Sequence, residues 1–185
     1  MLSDQRGRRR AGTLAAAALL VLAAVFAIVG GGDSGDGATI ASPAQIVEPG
    51  ELAELEDSLG HLVYWAGERP PDRLELTVEA SGNVLLRYLP PGVDPVQRPA
   101  AFLTVGTYPV VEARAALRRS ARAAGVELER VSGGGAVFVD PAAPDSAYLA
   151  YPDSDLQIEV YDPRPGRALS LLRAGAIWPA SEDEG

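Results

Sequence analysis

The longest run without a charged side chain covers residues 11–32, which is 22 residues. Coiled as an α-helix, such a run is about 33 Å long at ~1.5 Å per residue, and the hydrocarbon core of a bilayer is about 30 Å thick. Four arginines precede it, and only Asp4 opposes them. Because positive charge is retained on the cytoplasmic side, the pattern predicts a cytoplasmic basic segment at 1–10, a single-pass transmembrane helix at 11–32 and an extracytoplasmic domain after it.

A cleaved secretory signal is the alternative for the same run. Its strongly apolar part, residues 14–29, has 16 residues, just beyond the ~7–15 of a signal h-region. Cleavage after Ala27 would place Val25 and Ala27 where small residues are preferred, and valine fits that rule poorly. The length therefore favours an uncleaved anchor, and both interpretations export the domain.

The composition removes whole classes of chemistry. There is no Cys and a single His, and all 16 basic residues are Arg. Without thiols or lysines, the chain has no cysteine nucleophile, no cysteine-ligated zinc or iron–sulfur cluster and no Schiff-base lysine. We therefore expect neither a metal nor a cofactor. The remaining possibilities are carboxylate chemistry, a site built on one His, or binding without catalysis.

The charge of the exported part argues against nucleic acid as a partner. The chain has 16 basic and 25 acidic residues, and its first 30 residues hold four of the former and one of the latter. The remainder thus carries 12 Arg against 24 acids, a formal charge of −12. Such a surface repels nucleic acid and anionic headgroups at long range.

Composition shifts divide the chain after the apolar run. Glycines and prolines over 33–49 predict a flexible tether, and the acidic residues of 180–185 predict a disordered tail. Between them, 50–179 has the length of one domain. A domain of that size can bury a core without disulfides.

Periodicity within 50–179 predicts an α+β domain. Apolar residues at helical spacing predict a helix at 51–59, and alternation predicts a hairpin of strands 73–80 and 84–89 around Ser81-Gly82-Asn83. Because short turns favour antiparallel pairing, we expect a mainly antiparallel sheet of about six to seven strands with two to three helices on one face. The further strands are predicted at 101–107, 126–131, 136–139, 147–151 and 156–161, and the further helices at 110–124 and 167–173.

Two segments of the domain echo each other. Tyr108-Pro109 precedes a helix containing Leu117-Arg118, and Tyr161-Asp162-Pro163 precedes a helix containing Leu172-Arg173. Each segment would run from a strand through a Tyr-Pro corner into a helix. The echo predicts two similar halves.

Four short segments resemble those of a group of known proteins. They are Tyr64-Trp65-Ala66-Gly67, Leu86-Arg87-Tyr88-Leu89-Pro90-Pro91-Gly92, Phe102-Leu103-Thr104-Val105-Gly106-Thr107-Tyr108-Pro109 and Tyr148-Leu149-Ala150-Tyr151-Pro152. In these segments the chain resembles small uncharacterised membrane-anchored proteins of actinobacteria, and the likeness covers about residues 59–178. It implies a membrane-anchored, single-domain protein and brings no catalytic residue with it.

A row of arginines in the 110–124 helix is the strongest candidate binding feature. Arg114, Arg118 and Arg122 recur every four residues and so share one helix face, with Arg119 beside them. In an exported part of formal charge −12, this row indicates a docking surface for an acidic envelope protein or a polyanion. The alternative is a solvated face balanced by nearby acids, namely Glu112, Glu127 and Glu129.

Two other patterns have a functional and a structural interpretation, and the structural one is favoured in both. His61 and Ser58 could act as base and nucleophile, but no G-x-S-x-G sequence surrounds Ser58, and a His near a helix C-terminus is stabilised by the dipole. Asp153-Ser154-Asp155 offers oxygen ligands for a divalent cation. The EF-hand pattern is not met there, and the same residues favour a turn.

Aromatic residues and carboxylates supply the last candidates. Tyr and Trp could floor a ligand groove, for instance for glycan, although they also suit the edge of a core. Asp153, Asp155 and Glu159 could serve hydrolysis, provided two of them face each other across a pocket at catalytic separation. The aromatic set is Tyr64, Trp65, Tyr88, Tyr108, Tyr148, Tyr151 and Tyr161.

These observations together favour a membrane-tethered extracytoplasmic binding or interaction module of the cell envelope, and not an enzyme. The expected docking residues are Arg114, Arg118, Arg119 and Arg122. The expected partners are the membrane, through the N-terminal helix, and an envelope protein or polyanion. A carboxylate-dependent envelope hydrolase is the alternative.

Overall fold

Segments with alternating apolar side chains assemble into an antiparallel sheet in the computed structural model, which describes residues 40–95 and 102–182. Three helices pack around that sheet. In chain order the elements are β1 (Ile40–Val47), α1 (Pro49–Leu59), β2 (Tyr64–Trp65), β3 (Arg73–Glu79), β4 (Val84–Leu89), β5 (Thr104–Pro109), α2 (Ala113–Ala123), β6 (Glu129–Arg130), β7 (Ala136–Val139), β8 (Ser146–Ala150), β9 (Leu156–Tyr161), α3 (Arg167–Arg173) and β10 (Trp178–Pro179), with a 3-10 turn at Ser132–Gly134.

Eight strands form one sheet in the order β1-β3-β4-β5-β9-β8-β7-β6, and each neighbouring pair is antiparallel. The central pair is β5 with β9, in which Gly106 lies opposite Glu159. β2 and β10 form a separate ribbon that pairs Trp65 with Trp178. The antiparallel α+β class expected from the sequence is confirmed, whereas the sheet is larger than the six to seven strands expected.

The main core lies on the sheet face covered by α1 and α3, here called the α1/α3 face. Alternate residues of the strands point into it, including Leu76, Leu86 and Ile158. α1 contributes Leu52, which is completely buried, and α3 contributes Leu171 and Leu172. At about 25 cal/mol per Å² of apolar surface, this burial is the main favourable contribution to folding.

A second, smaller core lies on the opposite face of the sheet, here called the α2 face. α2 packs Ala113, Leu117 and Ala121 against aromatic and small side chains of β7 and β8. The strand residues in this cluster are Ala136, Phe138, Tyr148 and Ala150. The expectation that all helices lie on one face of the sheet is therefore wrong.

The sequence of β8 explains why helices cover both faces. All five residues of this strand are buried, and so are the first five of β9. A run that is apolar on both sides of a strand needs cover on both sides. α2 supplies the second cover with a face of small residues, which lets its backbone approach Phe138 and Tyr148 closely.

The predicted tether at 33–49 is wrong from residue 40 onward. Residues 40–47 are strand β1, which pairs with β3 so that Val47 lies opposite Leu74. The two prolines that suggested irregular structure are both tolerated: Pro43 lies on an edge strand, and Pro49 begins α1, where no donor is needed. Residues 33–39 lie outside the described residues.

Several other boundaries differ from the expectation. α2 begins at Ala113 and not at residue 110, and the strand expected at 126–131 is reduced to β6. The start of the predicted acidic tail is tied to the domain, because the Ala180 backbone N–H donates to the Val63 carbonyl at 2.9 Å. The rest of that tail, 183–185, lies outside the described residues.

The predicted transmembrane helix at 11–32 also lies outside the described residues. Within the part of the chain that the structure describes, no helix has both the length and the apolar character needed to cross a membrane.

Candidate functional site

The N-terminus of α2 is fixed by the turn between β8 and β9. Glu112, just before the helix, adopts a left-handed conformation with φ 53°. Its backbone N–H donates to Asp155 Oδ1 at 2.7 Å, and the Val110 N–H donates to the Asp155 carbonyl at 2.7 Å. Asp155 therefore fixes the residue that precedes α2, at a helix start that has no side-chain cap of its own.

An open groove of about 510 Å³ lies between this turn and the first half of α2. Arg114 and Arg118 line it from the helix, together with Glu112 and Ala115. Residues 152–155 line it from the turn. This groove, here called the α2 groove, is a volume that can accept a few side chains of a partner.

The arginine row lies on the outer side of α2, as the sequence indicates. Leu117 and Ala121 face the sheet, whereas Arg118, Arg119 and Arg122 are exposed. Arg114 is half-buried, and its Nε is buried without a hydrogen-bond partner among the described residues.

The four predicted docking residues are not equivalent. Arg114 and Arg118 line the α2 groove, and Arg119 and Arg122 do not. On a helix with 3.6 residues per turn, Arg119 points about 100° away from Arg118, while Arg122 is only about 40° away. Arg122 therefore extends the groove-facing row, and Arg119 lies outside it.

Within the described residues, none of these four guanidinium groups is paired with a carboxylate. The three acids proposed to balance them form no ion pair with the row in the described part of the chain. Glu129 instead pairs with Arg173 of α3, with Nη2 2.6 Å from Oε2, and this hydrogen bonding lowers the pKa of Glu129. Glu112 lies at the end of the row but forms no ion pair.

The Asp153-Ser154-Asp155 segment is a turn. Asp153 has φ 55°, Ser154 Oγ accepts the Leu156 N–H at 3.2 Å, and the Asp155 carboxylate is engaged by α2. Among residues 40–95 and 102–182, no three His, Cys, Asp or Glu side chains are grouped so as to hold a metal ion.

His61 and Ser58 do not contact each other. His61 Nδ1 lies 2.9 Å from the Leu62 carbonyl oxygen, and Nε2 lies 3.0 Å from that of Gly82. Ser58 Oγ donates to the Leu55 carbonyl within α1. The His therefore ties the end of α1 to the β3–β4 hairpin, and the hydroxyl has no base beside it.

Glu159 is buried on the α2 face and lies away from the groove. It is only 4% exposed, and Tyr108 Oη donates to its Oε2 at 3.3 Å. Burial raises the pKa of this carboxyl, although hydrogen bonds from Ser146, Tyr148 and Tyr108 oppose that effect. The ring of Tyr108 folds over Gly106, where an added Cβ would lie 2.7 Å from a ring carbon.

The three candidate carboxylates do not form the facing pair that hydrolysis needs. Asp153 and Asp155 belong to one turn and line the groove from the same side. Asp155 and Glu159 are four residues apart in nearly extended chain, which is roughly 13 Å. Carboxylate pairs in glycosidases are about 5–9.5 Å apart.

The predicted aromatic set is dispersed through the molecule. Tyr64 stacks on Tyr151 with ring centroids 6.0 Å apart, and burial raises the pKa of Tyr64 to about 12. The Tyr88 hydroxyl accepts the Ala66 N–H at 2.7 Å, and Trp65 meets Trp178 edge to face at 6.2 Å. None of these rings lines the α2 groove, so they serve the cores and the β2–β10 ribbon.

Sequence reasoning missed one residue of this surface. Val111 is 80% exposed and directly precedes Glu112, which lines the groove. Nothing in the local sequence marks it, because valine at a strand-to-helix connection is ordinarily buried. Its exposure follows from the left-handed turn at Glu112.

No protein-family model, curated protein or solved structure matches this chain. The function must therefore be inferred from the geometry and charge of the site itself.

Proposed function

We propose that this protein is a membrane-tethered extracytoplasmic interaction module of the cell envelope that docks an acidic partner on the outer face of α2. It is not an enzyme. One observation carries the docking proposal: the arginines of α2 are unpaired within the described residues, in a chain with 25 acidic residues.

Other arginines of the domain support this inference by contrast. Arg87 lies 3.2 Å from the buried carboxylate of Glu75, Arg164 pairs with Asp162 at 2.7 Å, and Arg173 pairs with Glu129. Three arginines are thus paired with acids of the domain, whereas Arg130 and Arg167 are single arginines that form no ion pair with a described residue. Within the part of the chain that the structure describes, only α2 places several such arginines on one helix. The row on α2 is thus a local concentration of positive charge left available for another molecule.

The membrane part of the proposal rests on the sequence. The run at 11–32 has the length and the arginine flank of an anchor with its N-terminus in the cytoplasm. Seven residues separate it from β1, and seven residues span at most about 25 Å. The domain would therefore meet its partner close to the outer surface of the membrane.

Reporter fusions and mass spectrometry test location. A reporter that is active only outside the cytoplasm, fused after Gly185, should be active, and a cytoplasm-dependent reporter should be silent. The full-length mass should be found in the membrane fraction. A mature N-terminus at Ile28 would show a cleaved signal and remove the anchor, while the opposite reporter pattern would remove export as well.

Cross-linking in intact cells tests docking. The full chain and a variant with Arg114, Arg118 and Arg122 all changed to Gln are compared, with Arg130→Gln as a control because Arg130 is exposed but lies on β6. We expect the triple variant to lose its cross-linked species and the control to keep them. Equal cross-linking by all three proteins would contradict a docking role.

A further inference from the structure

We infer that the α2 groove is the anchoring end of this docking surface, and that it takes a linear segment of a partner protein in which a positive group precedes a run of carboxylates. This deepens the proposed function and rests on it. The inference depends on how charge, apolar surface and spacing are distributed along α2.

Charge is divided along the groove. Glu112 lines it directly before α2 begins, Arg114 and Arg118 line it further along the helix, and Asp153 lines it from the turn. Neither Glu112 nor Asp153 forms an ion pair with a described residue, although both line the same groove as the two arginines. The groove therefore offers an unpaired acid where α2 begins and unpaired guanidinium groups further along the helix, with a second unpaired acid, Asp153, on the turn.

Exposed apolar surface lies at the same end of α2. Val111 is 80% exposed next to Glu112, and Ala115 lines the groove one turn later. Burying such a side chain in an interface contributes free energy that charge pairs at a wet surface do not. An apolar residue of the partner next to its positive group would cover Val111.

The spacing of the row fits a protein chain. Successive arginines at 114, 118 and 122 are about 6 Å apart along the helix axis. Alternate side chains of an extended segment are about 6.6–6.8 Å apart, and a helix presents residues i and i+4 at about 6 Å. Carboxylates on one side of a peptide can therefore meet the three guanidinium groups in turn.

Charge also argues against a uniform polyanion or a lipid surface as the occupant. Both would bring negative charge against Glu112, Asp153 and Asp155, which line the groove. An anionic bilayer would additionally meet an exported part of formal charge −12. A protein segment avoids both penalties because its charge can change sign along its length.

Peptide binding to the full chain in neutral detergent micelles tests the inference. The probe is a synthetic peptide with an amino-terminal acetyl cap, then lysine and leucine, then alternating glutamate and alanine. Matched probes carry acetyl-lysine in place of lysine, or glutamine in place of every glutamate. Polyphosphate and phosphatidylglycerol vesicles are the non-protein probes.

We expect the lysine peptide to bind most tightly and the glutamine peptide not to bind. Acetylation of the lysine should weaken binding several-fold to the unaltered protein and less to Asp153→Asn, which keeps only Glu112 of the two unpaired acids. Asparagine is chosen because it tolerates the left-handed backbone of residue 153. Such dependence of one change on the other shows that two groups interact. Arg118→Gln should weaken binding about tenfold, which is ~1.4 kcal/mol, Val111→Ser should weaken it several-fold, and Arg119→Gln should leave it unchanged.

The outcomes separate this inference from the proposed function. If Arg118→Gln weakens binding but acetylation acts equally on Asp153→Asn and the unaltered protein, the row docks acids and the groove inference is overturned. Tighter binding of polyphosphate or of the vesicles than of the lysine peptide would likewise overturn the inference that the occupant is a protein segment. The proposal of an acidic partner would then still stand. If no acidic probe binds even at low salt, both fail.

Discussion

α2 and α3 are built alike and differ in what their arginines do. Each follows a strand of the central pair, each is preceded by a left-handed residue, Glu112 with φ 53° or Gly166 with φ 72°, and each ends in Ala-Gly. At both C-termini the second residue past the cap donates its N–H back to the helix, Val126 to Ala121 and Ala176 to Leu171. The two segments that echo each other in sequence therefore do share one local structure.

The two helices cover opposite faces of the same three strands. α3 sends Ala168, Leu171 and Leu172 into the main core, and α2 sends one leucine and two alanines into the smaller one. Around α3, Arg164 pairs with Asp162 and Arg173 pairs with Glu129, whereas Arg167 forms no ion pair with a described residue. The arginines of α2 have no such partner among the described residues. The shared local structure thus determines how each helix is held on the sheet. The residues on its outer surface can then contribute either to stability or to recognition.

The largest expected effect concerns the anchoring of α2. Leu117 is completely buried and is the only large aliphatic side chain that α2 places among the buried residues of its cluster. Leu117→Ala should lower the free energy of unfolding by about 2–5 kcal/mol, measured by urea denaturation. Leu172→Ala on α3 is the matched change. Because neighbouring leucines also hold α3 in the main core, Leu172 should carry only part of the stabilisation there. A loss under about 1 kcal/mol at Leu117 would show that the smaller core does not hold α2.

The next effect concerns the ion pair at the start of α3. Asp162 is completely buried, and Arg164 donates to its carboxylate from Nε at 2.9 Å and from Nη2 at 2.7 Å. Burial alone would raise the pKa of Asp162, but the hydrogen bonds from Arg164 prevail and lower it below the ordinary 3.8. Arg164→Ala leaves a buried acceptor without these donors, so the free energy of unfolding should fall by about 1–3 kcal/mol.

The same pair predicts a pH dependence. A carboxyl whose pKa is lowered in the folded state contributes stability above its unfolded pKa, and this contribution is lost as the pH falls through the folded value. Thermal unfolding of the unaltered protein should therefore become easier as the pH falls below about 4. Arg164→Ala should reduce that slope. An unchanged slope would mean that other carboxyls dominate acid unfolding.

Local sequence patterns predict those elements whose contacts are local or strictly periodic. β4, β9 and α3 have the bounds that alternation or helical spacing indicates. β1 was missed because its pairing with β3 is long-range and Pro43 suggests a break. β2 and β10 were missed because two-residue strands have no period, and their pairing joins Trp65 to Trp178.

The candidate site was predictable only in part, for the same reason. Helical spacing places Arg118 and Arg122 on the outer side of α2, opposite Leu117. The groove depends on the hydrogen bond between Glu112 and Asp155, residues 43 apart in sequence. No pattern within either segment indicates that contact. The same helical spacing places Arg119 about 100° from Arg118, so its position outside the groove-facing row was predictable although it is as basic as Arg118.

Stability should depend on pH with the opposite sign at Glu159 from that at Asp162. Burial on the α2 face raises the pKa of the Glu159 carboxyl above its ordinary 4.5. A raised pKa means that the folded state binds the proton more tightly, so stability falls as the pH rises from the unfolded pKa to the folded one. Glu159→Gln should remove that decline and change the free energy of unfolding at neutral pH by no more than about 1 kcal/mol. Thermal scans across the acidic range measure it, and an unaltered decline in the variant would assign the effect to another group.

The smallest expected effect is on the stability of the arginine row itself, and it tests the comparison most directly. Changing Arg114, Arg118 and Arg122 to Gln removes no ion pair of the described residues, because none of the three has one. It relieves like-charge repulsion between residues four apart, worth about 0.2–0.5 kcal/mol per pair, and it makes an acidic chain more acidic, which acts in the opposite direction. The two effects nearly cancel, so the free energy of unfolding should change by no more than about 0.5 kcal/mol. Arg173→Gln, which breaks the pair with Glu129, should instead destabilise the protein measurably at low salt and less at high salt. If the triple variant lost as much stability as the Leu117 variant, the row would be part of the scaffold, and the distinction between the outer surfaces of α2 and α3 would disappear.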